Sequence, residues 1–171
     1  MFVTFRLYDS LPSGRAFPPE RITSGQAFVA MDRLLDHGRE GPRFLAEPAI
    51  AGMVIEALYD GDTRFQRYEL HSYVVMPNHV HLLVTPWVIA KQWLGPLKGY
   101  TAYQANRLMN RHAPFWQAEN YDHLVRGGEE FRRIQRYIEN NPVKAGLVTI
   151  PEEFLWSSAA PSQSSAAASK G

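Results

Sequence analysis

Two apolar, β-rich segments, Tyr68 to Met76 and His79 to Thr85, are separated only by Pro77 and Asn78. A link that short cannot hold a crossover, so the segments pair antiparallel as a hairpin, and the rest of the chain has to be arranged around it. In the second arm a period of two puts Val80, Leu82 and Val84 on one face and His79, His81, Leu83 and Thr85 on the other. The first face is core. The second carries two imidazoles at strand spacing, and this pair has two readings. Either the rings hydrogen-bond across a half-exposed sheet, or they hold a divalent cation and leave coordination positions open for substrate oxygens.

The flanking sequence supplies further strands and helices. Phe2 to Leu7 alternates weakly and predicts a strand that ends in a turn-rich stretch with Pro12, Gly14, Pro18 and Pro19. Apolar positions Ile22, Phe28, Val29, Leu34 and Leu35 predict a helix from Glu20 to near Gly38, and a second helix is expected from about Ala49 to Tyr59. Residues 88 to 110 form a helical region that Gly95-Pro96 should interrupt, so the longer helix is expected to start near Pro96. Phe115 to Gln117 and His123 to Arg126 could supply a short strand, and Glu129 to about Asn141 a last helix with Phe131, Ile134 and Ile138 on its buried stripe. From Ser157 the chain is mostly Ser, Ala, Pro and Gln, which cannot build a core. The expectation is one domain over residues 1–156 and a disordered tail over 157–171. Strands and helices in this order predict an α+β fold: a ferredoxin-like antiparallel sheet with helices packed mainly on one face.

With 171 residues the chain is long enough to fold around one core without staples, and the absence of cysteine excludes disulfides and thiolate zinc sites. No apolar run approaches membrane-spanning length and no secretory leader opens the chain, so a cytoplasmic protein without membrane contact is expected. The net charge of +1 hides an asymmetry: residues 1–90 hold eight Lys/Arg against ten Asp/Glu, whereas residues 91–148 hold nine against five. The basic half favours a polyanionic partner, or is simply a solvated basic helix.

Two histidines alone would hold a metal loosely, so a third oxygen or nitrogen ligand should come from elsewhere. Asn141 is one candidate: on a helix it lies one turn after Tyr137 and shares its face, with Glu130 and Arg133 roughly on the same side. It could equally cap a short helix opened by Pro142. Tyr137 is either a packing tyrosine or a nucleophile; as a nucleophile its phenol, with a reference pKa near ~10, needs a base or a nearby cation such as Arg133. A histidine-triad hydrolase would need a third histidine where Leu83 stands.

The stretch Met76-Pro77-Asn78-His79-Val80-His81-Leu82-Leu83-Val84, followed by Tyr137-Ile138-Glu139-Asn140-Asn141-Pro142-Val143-Lys144-Ala145-Gly146-Leu147-Val148, resembles the REP-associated tyrosine transposases, a single-tyrosine branch of the HUH single-strand DNA nucleases. Val3 to Leu7, Phe115-Trp116-Gln117, Tyr121-Asp122-His123, Val125-Arg126 and Trp156-Ser157-Ser158 share the resemblance. It implies a magnesium or manganese ion held by His79, His81 and Asn141, with Tyr137 attacking a DNA phosphodiester to leave a 5'-phosphotyrosine and a free 3'-hydroxyl. The implied partner is single-stranded DNA folded as palindromic REP-like hairpins, bound by a monomer or a homodimer. Lys98, Arg126, Arg132, Arg133, Arg136 and Lys144 are the charged candidates for DNA contact, with Tyr100 and Tyr103 as stacking platforms. A non-catalytic hairpin-binding module is the alternative.

Overall fold

The computed structural model describes residues 1–11, 32–35 and 41–161. Among the described residues four strands, β1 (Phe2–Leu7), β2 (Tyr68–Val75), β3 (His79–Pro86) and β4 (Trp116–His123), form one antiparallel sheet in the order β2-β3-β1-β4. The hairpin predicted from Pro77-Asn78 is present, with Val75 opposite Val80. β1 takes the centre, pairing Thr4 with His81 on one side and with Tyr121 on the other. This is the ferredoxin-like arrangement. His79 to Val84 is buried throughout, because both faces of this inner strand are covered.

The face of Val3, Phe5, Leu7, Val80, Leu82 and Val84 packs under α1 (Pro48–Tyr59) and α2 (Ala90–Leu108) in the larger core. α1 matches its predicted bounds. α2 does not start at Pro96 but runs through it for 19 residues. The missing hydrogen bond and the ring clash of an internal proline cost about 3 kcal/mol. Trp93 and Leu94 before it and Leu97, Thr101 and Ala105 after it are all buried. Each large apolar side chain gains about 1.5–3 kcal/mol by burial, so burial on both sides of Pro96 outweighs the local penalty. Beyond α1 the chain continues through a π-helical turn, Asp60–Arg64.

The opposite face packs a smaller core of Phe2, Val74, Met76 and Leu83 against Leu35 and against Ile138 of α3 (Gly128–Glu139). A four-residue helix, α4 (Asn141–Lys144), follows at once. The helix predicted from Glu129 therefore ends before Asn141, and Pro142 opens the next turn, consistent with its lack of a backbone donor. The predicted helix from Glu20 to Gly38 lies outside the described residues except for residues 32–35, which are helical. The short strand expected from Phe115 to Gln117 and His123 to Arg126 is instead one continuous strand, Trp116–His123, whose largely polar middle, Gln117 to Asp122, befits an edge strand. At the other edge Ser157 pairs with Val74, and the Ser158 N–H donates to the Tyr73 carbonyl at 3.0 Å. The packed chain thus extends past residue 156, and residues 162–171 lie outside the described ones. Among the described residues no helix is long and apolar enough to cross a membrane.

Candidate active site

The site lies between the sheet and α3. Strand alternation sends His79 and His81 to this face, where both are fully buried, and their Nε2 atoms approach to 3.1 Å. A side chain that spacing arguments did not reach completes the cluster. Asp32 Oδ1 lies 2.9 Å from His81 Nε2 and 3.6 Å from His79 Nε2. This oxygen is buried in the middle of the cluster, against both imidazoles.

Tyr137, on α3, donates its phenolic hydrogen to Asp32 Oδ2. Asn141 Nδ2 donates to the same oxygen at 3.1 Å, while Asn141 Oδ1 is buried without a hydrogen-bond partner among the described residues. Residues 137 and 141 therefore meet one carboxylate even though α3 ends between them. Phe2 fills the gap beside them, its ring centroid 5.7 Å from that of His81 and 6.3 Å from that of Tyr137. The Lys144 ammonium stands 4.1 Å from the Tyr137 ring centroid. It occupies the place expected of Arg133, which instead pairs with Glu130 at 3.5 Å.

The electrostatics follow from burial. Lack of water, and then the neighbouring His81, hold the His79 imidazole down at about 3, against the smaller opposing pull of Asp32. His79 is therefore neutral at pH 7. Burial alone would push Asp32 up, but His81, His79 and the Asn141 hydrogen bond together outweigh it and keep the carboxyl below its ordinary value. One carboxylate and a neutral imidazole are the protonation states a divalent cation requires.

Spacing provides an independent test of fit. Ligand bonds of about 2.0–2.2 Å place neighbouring donors about 3.0 Å apart in an octahedron and about 3.4 Å apart in a tetrahedron. The three separations among His79 Nε2, His81 Nε2 and Asp32 Oδ1 are 3.1, 2.9 and 3.6 Å. The donor set fits a metal ion.

The candidate DNA contacts separate into groups. Lys98 lies under the other face, where its ammonium donates to the Gln117 and Ala118 carbonyls at 2.8 and 3.0 Å, fastening α2 to β4. Arg126, Arg132, Arg133, Arg136 and Lys144 are exposed on or beside α3 and α4. Tyr100 and Tyr103 are exposed on α2, away from the histidines.

A family model described as "Transposase IS200 like" matches residues 54–141, slightly more than half of the chain. The chain is 29% identical over 92 residues to a REP-associated tyrosine transposase of Escherichia coli K12, covering 50% of each protein. It is 26% identical over 103 residues to a protein assigned as a REP-associated tyrosine transposase in Haemophilus influenzae, covering 53% of this chain and 58% of the relative. It thus spans about half the length of these curated relatives. A solved structure of a REP-associated tyrosine transposase bound to a REP hairpin superposes with a TM-score of 0.58, covering 91% of this chain and 73% of the other at 19% identity. That likeness is one of fold.

Proposed function

Because the chain belongs to the IS200-like transposase family, we propose that it is a REP-associated transposase that cleaves and rejoins single-stranded hairpin DNA through a covalent bond to Tyr137. The observation that carries this reading is that Tyr137 is hydrogen-bonded to the same buried carboxylate that lies against both histidines. A packing tyrosine needs no such partner.

In this reading His79, His81 and Asp32 Oδ1 hold magnesium or manganese, and Asn141 Oδ1 offers a further oxygen. The ion supplies positive charge to the non-bridging oxygens of the scissile phosphate. Imidazole suits manganese better than magnesium, so manganese should bind more tightly in vitro. Asp32 Oδ2 takes the phenolic proton as Tyr137 Oη attacks phosphorus. The bond from phosphorus to the 3'-oxygen breaks, and that oxygen leaves as a 3'-hydroxyl with a proton from water, while Asp32, held below its ordinary value, returns the phenolic proton to the solvent and so balances it. Asn141 holds Asp32 in place through its amide N–H, Lys144 supplies a positive field at the ring, and Phe2 fixes the phenol beside His81. The 5'-phosphotyrosine keeps the phosphoester bond energy, so a 3'-hydroxyl can reverse the step and join strands. Arg126, Arg132, Arg133 and Arg136, exposed on or beside α3, contact phosphates of the bound strand.

Labelled hairpin oligonucleotides incubated with the protein and manganese should yield an adduct that survives denaturation. Tyr137→Phe should abolish it, and Asp32→Asn should reduce its rate at least tenfold and weaken manganese binding. Hairpin binding without any adduct would instead support the non-catalytic module.

A further inference from the structure

We propose that Asn78 is a positioning residue that fixes the metal-binding tautomer of His79 and anchors the helical segment bearing Asp32; this rests on reading the site as a cation centre. Two contacts fix the orientation of its side-chain amide. The Asn78 side chain is buried, with Nδ2 3.0 Å from the Leu35 carbonyl oxygen and Oδ1 2.7 Å from His79 Nδ1. A carbonyl oxygen only accepts, so the amide nitrogen must face Leu35 and the amide oxygen must face His79. An amide oxygen also only accepts, so His79 Nδ1 has to carry a hydrogen.

The consequence lies across the ring. With hydrogen fixed on Nδ1, the proton that a neutral His79 lacks is the one on Nε2, and the lone pair there faces His81 Nε2 and Asp32 Oδ1. Asn78 is thus the outer hydrogen-bond partner that metal-bound histidines characteristically have. His81 is held differently: its Nε2 faces two acceptors, Asp32 Oδ1 at 2.9 Å and the His79 lone pair at 3.1 Å, so in the metal-free protein it carries hydrogen there. Its Nδ1 meets the Thr4 hydroxyl at 2.7 Å, which can donate or accept, so His81 can shift its hydrogen to Nδ1 when a cation takes Nε2, whereas His79 needs no change.

The same amide has a second effect. Leu35 is one helical turn from Asp32, so the bond from Asn78 Nδ2 to the Leu35 carbonyl holds the carboxylate segment against the hairpin turn. The turn itself is pinned to the central strand, because the Leu7 N–H donates to the Asn78 carbonyl at 2.8 Å. A residue that local sequence assigns to a two-residue turn therefore links β1, β3 and the segment of residues 32–35.

Long-range proton–nitrogen correlation spectra of the 15N-labelled, metal-free full chain at about pH 8, where histidine is neutral, read the tautomer directly. Wild-type His79 should show hydrogen on Nδ1. In Asn78→Ala that preference should be lost, and manganese affinity by calorimetry should fall about 10- to 100-fold. Asn78→Asp, which keeps an acceptor at His79 but cannot donate to Leu35, should retain the Nδ1–H form; it decides the matter if the alanine variant fails to fold. Hydrogen on Nε2 in the wild type, or a folded alanine variant with wild-type manganese affinity, would overturn the proposal. Failure of the wild type to bind manganese would overturn the cation reading instead, and the spectrum would still decide the tautomer.

Discussion

At the scale of single residues, the site is a cluster of groups that burial makes dependent on one another. His79 has a folded-state value of about 3, below the ~6.5 of an unfolded histidine. Between those values the unfolded chain binds the extra proton, so stability rises with pH across this window and is lost as pH falls from about 6.5 toward about 3. The limiting slope is about 1.4 kcal/mol per pH unit for one proton. Thermal melts of metal-free protein should therefore decline over this range, and His79→Gln should flatten the decline; a flat wild-type profile would contradict the assignment. The depressed Asp32 acts only at lower pH, below the unfolded carboxyl value near ~3.9. Strand spacing made it legible that His79 and His81 share a face, and the one-turn spacing of Tyr137 and Asn141 that they lie together, although α3 ends between them. Asp32 was not legible that way, since only the tertiary fold brings it to the hairpin. One signal was available: Asp32 stands four residues after Phe28 and three before Leu35, a carboxylate on an apolar stripe.

At the scale of elements, strands bounded by turn signals were legible and helix ends much less so. The break expected at Pro96 is absent because tertiary burial holds the turns on both sides of it. The polar middle of β4 hides an edge strand whose pairing depends on backbone hydrogen bonds with β1. The start of α3 is set by Glu130, which accepts from the Arg126 N–H at 2.6 Å and lies 3.0 Å from His123 Nε2. That contact aims the basic face of α3 beside the site and leaves Arg132 and Arg136 exposed there. Lys98 is committed to β4 carbonyls on the other face. Arg136→Gln should thus weaken hairpin binding and reduce the slope of log affinity against log salt by about 0.7 for a single-strand contact. Lys98→Met should leave that slope unchanged while lowering the melting temperature. Fluorescence anisotropy across a salt series separates the two, and a larger slope change for Lys98→Met would reverse the assignment.

At the scale of the whole molecule, a sheet covered on both faces divides the work. The larger core under α1 and α2 fixes the hairpin, and the smaller core of Phe2, Val74, Met76, Leu83 and Ile138 docks α3 so that Tyr137 meets the carboxylate beside the histidines. Whether a monomer or a homodimer binds the hairpin, one chain carries Asp32, His79, His81, Tyr137 and Asn141 in a single cluster. A mixture of Tyr137→Phe and His81→Ala proteins should accordingly regain no cleavage, whereas exchange of helices between subunits would restore it. The central claim is that Tyr137 itself carries the DNA. Mass spectrometry of the trypsin-digested adduct tests this most directly, since cleavage after Arg136 and Lys144 releases residues 137–144 as one peptide. The expected result is a nucleotide joined through its 5'-phosphate to Tyr137 of that peptide, with a 3'-hydroxyl on the released strand; an adduct on any other residue, or cleavage with no adduct at all, would contradict it.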